Sequence, residues 1–189
     1  MWRPPVVTAA PTDQAITLAA AKKHLRVDHD DDDALIEGMV AAAVGHVESV
    51  TGQRLVRQTL TIRCGGWNDL AALSVAPVVE ILAIRYRDGS GVDQTLSAAE
   101  YEARLEGLLP EIVRAGGASW PSVQAGSLIT VEMMAGYDDG AAPPELMAAA
   151  KLILGDLYTY RETVGGDASA IPTSATVEAL LTNHRRFLL

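Results

Sequence analysis

Apolar residues in the first third of the chain recur at helical spacing. Leu18, Ala21 and Leu25 lie on one side of a segment that starts after Thr17, while Lys22, Lys23 and Arg26 fall on the wetter side. This predicts a short helix, Leu18 to about Val27, capped by Thr17. From Leu35 onward, Ile36, Met39, Val40, Ala43, Val44, Val47 and Val50 form a broad stripe. Thr51-Gly52 ends it, because glycine adopts the left-handed conformation at a helix end at little cost. Ahead of Thr17, Met1 to Ala15 carries Pro4, Pro5 and Pro11 and reads as an extended arm.

Beyond Gly52 the period drops to two. Val56 to Arg63, Val78 to Arg87 and Ser127 to Met134 alternate as strands do, and Asp88-Gly89 with Gly91 marks a turn. Tyr101 to Ala115 has Gly107 and Pro110 inside it, which sit badly in a helix. Two short strands with a turn at Glu106-Gly107 are expected there. The pattern leaves the fold of residues 64–125 as a whole undefined.

Helical spacing returns after Pro143-Pro144, since proline suits a first helical turn. Leu146, Ala149, Ala150, Ile153, Leu154, Leu157 and Tyr158 make the stripe. Tyr160 and Arg161 close that helix, and an arginine there is favoured by the helix dipole. A polar stretch with Gly165-Gly166 reads as a linker. Ser174 or Thr176 then opens a short terminal helix with Val177, Leu180, Leu181 and His184 along one side. The expected fold is α+β: a small helical bundle of two N-terminal helices, one long C-terminal helix and a short terminal one, with an inserted antiparallel β-rich section. The expected division is 1–54 with 140–189 for the helical part and 55–139 for the insertion.

Composition narrows the function. The 189 residues are 49 % hydrophobic and 21 % charged, a globular profile. Net charge is −9, which disfavours gripping a phosphate backbone. A single cysteine, Cys64, excludes an internal disulfide and any all-cysteine metal site. The N-terminus lacks the pattern of a signal peptide, and no uninterrupted apolar run approaches a membrane span, so a soluble intracellular protein with no membrane partner is expected.

The densest candidate chemistry is Asp28 to Asp33, five carboxylates and His29 in six residues. A calcium loop starting at Asp28 would need glycine where Asp33 stands and glutamate where Met39 stands. His24, His29, His46 and His184 are scattered. Aspartates at a helix start cap its N–H groups and offset its dipole, so Asp30, Asp31, Asp32 and Asp33 read as a helix cap or an acidic interface edge. Phosphate-loop, zinc-protease and serine-hydrolase motifs are lacking, so no cofactor, metal or catalytic residue is expected. A helix-turn-helix over residues 17–50 would open its second helix with acids that DNA repels. One alternative stays: a carboxylate- or metal-dependent hydrolase using the Asp28–Asp33 run. His184-Arg185-Arg186-Phe187 is different, a basic and aromatic cluster on a helix too short to be stable alone. It needs a surface, its own domain or a neighbour.

Three stretches carry a resemblance. LAAAKKHLRVDHDDDDALIEGMVAAAVGHVESVTGQRL resembles the opening of head–tail connector, or adaptor, proteins of long-tailed bacteriophages. GYDDGAAPPELMAAAKLILGDLYTYRE resembles their second signature, and VEALLTNHRRF their C-terminal segment. The resemblance spans the two ends of the chain and not its middle, and phage, prophage and gene transfer agent share it. It implies a non-enzymatic ring, usually a dodecamer, in the virion neck, assembled in the bacterial cytoplasm. Implied partners are the portal protein above, a tail-side head-completion (stopper) protein below and other copies of the chain, with DNA passing through unbound. The C-terminal segment would dock on the portal through Val177, Leu180, Leu181, Arg185, Arg186 and Phe187, with His184 on the same side.

Overall fold

A computed structural model describes residues 1–160 and 174–186. The chain divides into two compact units. One comprises Met1–Asp13, Gly52–Asp138 and the C-terminal end from Arg186; the other comprises Gln14–Thr51 and Asp139–Arg185.

The first unit is built on a five-stranded antiparallel sheet. Its strands are β1 (Val6–Ala9), β2 (Gln58–Cys64), β3 (Val78–Arg87), β4 (Asp93–Thr95) and β7 (Ile129–Ala135), in the order β1-β2-β7-β3-β4. The middle of the expected N-terminal arm is therefore an edge strand, with Val6 opposite Thr61. β5 (Tyr101–Arg104) and β6 (Glu111–Arg114) form a separate hairpin, and Gly107 has a φ of 74° in its turn. Period-two alternation decides which face is buried. Leu60, Ile62 and Cys64 of β2 lie opposite Met133, Val131 and Ile129 of β7, and all six are fully buried. Leu70 and Leu73 of the segment between β2 and β3, with Ile112 of β6, close the core. Trp67 stacks on Trp120 with centroids 4.7 Å apart and meets Tyr86 edge-on at 5.2 Å. Its indole N–H donates to the Pro121 carbonyl at 2.8 Å, so the aromatic keeps its polar end satisfied.

The end of β7 explains the Gly136-Tyr137 pair that opens the second of the resembling stretches. Gly136 has a φ of +115°, and a Cβ there would lie 2.1 Å from the Val56 carbonyl oxygen. Only glycine lets the two backbones approach so closely. The Tyr137 hydroxyl then donates to Oε1 of Gln53, a fully buried side chain that needs a partner.

The second unit is helical: α1 (Leu18–Leu25), α2 (Asp33–Thr51), α3 (Pro144–Thr159) and α4 (Ala175–Thr182). The Thr17 hydroxyl accepts from Ala20 N–H at 3.2 Å, as its capping position predicts. α1 stops at Leu25 rather than near Val27, because Arg26 takes the left-handed conformation (φ 60°) that glycine more often supplies. α2 packs on α3, and α3 on α4. Ala21, Ile36, Ala43, Val47, Leu146, Ala149, Ala150 and Leu154 are all fully buried, and the alanines let the helix axes come close. α2 is the one described helix long and apolar enough to cross a membrane by length and composition. Its stripe is narrower than expected: Leu35 is 43 % exposed, while Ile36, Ala43 and Val47 are buried. The expected linker, with Gly165-Gly166, and Arg161 lie outside the described residues.

Candidate functional site

The acidic run forms the turn between α1 and α2. The Lys22 ammonium donates to Asp33 at 2.7 Å and also to Asp30, bridging the two. These bonds raise the Lys22 pKa and lower that of Asp30. The Tyr158 hydroxyl donates to Asp32 at 2.9 Å. α2 starts on main-chain bonds, with Ile36 N–H to the Asp32 carbonyl at 2.9 Å. Asp31 is exposed and lies 3.7 Å from His29 Nδ1, and Asp28 stands at the start of the turn. The five carboxylates thus do not converge on one point. Among the described residues, no three His, Cys, Asp or Glu side chains come together as a metal site.

The tail residues divide between the two units. Val177 and Leu181 are buried within the helical unit, 1 % and 0 % exposed, while Leu180 is half-buried. His184 Nε2 lies 3.7 Å from Glu145, and Arg185 donates to Glu178. Arg186 belongs to the sheet unit. Its guanidinium donates to three main-chain carbonyls, those of Leu108, Leu73 and, at 3.4 Å, Gly52. Burial lowers its pKa. Phe187 lies outside the described residues.

A third feature was invisible in the linear pattern. Arg63 of β2 and Arg85 of β3 both pair with Thr130 of β7, and Arg85 also pairs with Thr95 of β4. The row Arg63-Thr130-Arg85-Thr95 therefore crosses four strands on the sheet's outer face. It lines a concavity of about 500 Å³ with Arg87, Ser127 and Leu128. Arg85 donates to Glu132 at 2.8 Å, and Arg87 to both oxygens of Asp93 at 2.8 and 3.1 Å. The signal lay in the strand alternation, but only the register puts residues 22 positions apart in one row.

Cys64 is fully buried, and burial pushes its thiol up to about 11, far from the thiolate a nucleophile requires.

Residues 15–105 match the sequence profile of the phage gp6-like head-tail connector protein family. The match covers α1, the acidic turn, α2 and β2 to β5. The α+β fold agrees with solved structures of similar chains. One chain from "Neck of empty GTA particle computed with C6 symmetry" superposes with a TM-score of 0.79 at 24 % identity, covering 99 % of this chain and 97 % of that one. One from "Virion of native gene transfer agent (GTA) particle" gives 0.80 with the same identity and coverage. One from "Neck of native GTA particle computed with C12 symmetry" gives 0.77. No curated protein sequence matches the chain significantly.

Proposed function

We propose that this chain is a structural adaptor of a phage-like virion neck. Copies form a ring that joins the capsid portal to the tail-side proteins and extends the DNA channel. The observation that carries the reading is the connector-family match over residues 15–105. Superposition of nearly the whole chain on chains of gene transfer agent necks supports it, and the neck computed with C12 symmetry favours twelve copies. The net charge of −9 suits a channel through which DNA slides without adhering. A shape-matching part needs no bond-making centre.

Portal docking is assigned to the C-terminal segment. Val177 and Leu181 are already buried in their own unit, so the half-buried Leu180, His184 and Arg185 are left to meet the portal, with Phe187 next to them in sequence. The test uses full-length protein and portal-bearing, tail-less capsids. Wild type is expected to co-sediment with these and not with capsids lacking a portal; failure to do so overturns the neck reading. Leu180→Glu with Arg185→Glu is expected to abolish co-sedimentation while circular dichroism stays unchanged. Normal attachment by that variant overturns the tail assignment alone.

A further inference from the structure

The outer face of the sheet carries an unusual charge for this chain. Arg63 and Arg85 flank Thr130, two strand spacings or roughly 10 Å apart, and Arg87 lies two positions along β3. Arg85 and Arg87 have carboxylate partners in the chain; Arg63 is exposed and has none among the described residues. A guanidinium with five fixed donors matches a carboxylate or phosphate in two-pronged fashion. The Thr130 hydroxyl in the same concavity lies between the arginines as a further polar group.

We infer that this arginine row is the subunit–subunit docking face of the ring, and that it receives carboxylates from the α1–α2 turn of the next copy, Asp31 and Asp28 first. The inference rests on the neck reading above, which supplies the second copy. In a closed ring each subunit presents two different surfaces, one to each neighbour. Copies carrying −9 each repel one another unless charges of opposite sign meet locally. The arginine row and the acidic turn are such a pair. Asp28 and Asp31 lie outside the Lys22 bridge, which uses Asp30 and Asp33. Duplex DNA is the competing occupant of the row. It fits worse, because Glu132 and Asp93 stand among the arginines and repel a continuous line of phosphates.

A charge exchange tests this. Arg63→Glu removes a side chain without a carboxylate partner among the described residues of its own subunit, so the fold should keep its melting temperature. Asp28→Lys with Asp31→Lys makes the reciprocal change. Each full-length variant is added, singly and mixed, to portal-bearing capsids, and bound copies are counted. Each variant alone is expected to load about tenfold less than wild type, and the mixture is expected to return to within about twofold, since in an alternating ring every contact again joins opposite charges. Normal loading by Arg63→Glu, or a mixture that fails to recover, overturns the inference and leaves the neck reading standing. Normal loading by Arg63→Glu together with loss of salt-sensitive duplex retardation overturns it too, and gives the face to DNA instead. Wild type that does not load removes the neck reading, and this inference with it.

Discussion

The Tyr158 hydroxyl donates to the Asp32 carboxylate at 2.9 Å, joining the end of α3 to the turn before α2. Residues 126 positions apart thereby fix the entry into the longest helix. A hydrogen bond to a charged acceptor contributes roughly 1.5–3 kcal/mol when partly buried. Tyr158→Phe keeps the ring and loses the bond, so urea denaturation should show a loss of about 1–2 kcal/mol with an unchanged m-value.

The Lys22 bridge sets a pH dependence with two limbs. The Asp30 pKa is lowered from 3.8, so its contribution is present above that value and is lost as pH falls through the lower folded one. The Lys22 pKa is raised from 10.5, so its contribution is present below that value and is lost as pH rises through the higher folded one. Lys22→Met should lower the melting temperature most on the plateau from about pH 5 to 9. The difference from wild type should shrink at both extremes, and a pH-independent difference would count against the bridge.

Gly136 tolerates no side chain. Its φ of +115° excludes one, and so does the Val56 carbonyl oxygen, which would stand 2.1 Å from an added Cβ. Gly136→Ala should cost about 3 kcal/mol or more, as strained backbone and a backbone clash combine. Denaturant unfolding, or failure to purify as soluble protein, checks it. Gly38→Ala is the control, since nothing lies within 4 Å of that position.

Arg186 satisfies three carbonyls with one planar group. Arg186→Ala should destabilise the protein by about 1–3 kcal/mol, and Arg186→Lys should recover little, because one ammonium cannot span three separated acceptors. Thermal melts of the three proteins at equal concentration measure this.

The Cys64 thiol should stay unmodified by thiol reagents at pH 8 in the native protein and react at once in denaturant. Its pKa of about 11 and its complete burial both keep the thiolate away. Modification at the denatured rate under native conditions would contradict the packing of β2.

Local signals carried much of the fold. Thr17 as a cap, Gly52 as a stop, Pro144 as a start and Val78–Arg87 as a strand are decided by backbone chemistry within a few residues, so they were legible in the sequence. The acidic run was legible as the front of α2, but its partners were not: Lys22 reaches it across a turn and Tyr158 from another helix.

By itself the sequence determined the kinds and order of the elements, the α+β class and the connector resemblance, because hydrophobic period, caps and turns are short-range properties. Tertiary structure alone decided that the N-terminal arm is a strand, that Gln53 finds Tyr137, that Arg186 ends among carbonyls and that Arg63 and Arg85 share a row. Each depends on strand register or on contact across many tens of residues, and the side-chain pattern of one segment holds no information about which distant backbone will stand beside it.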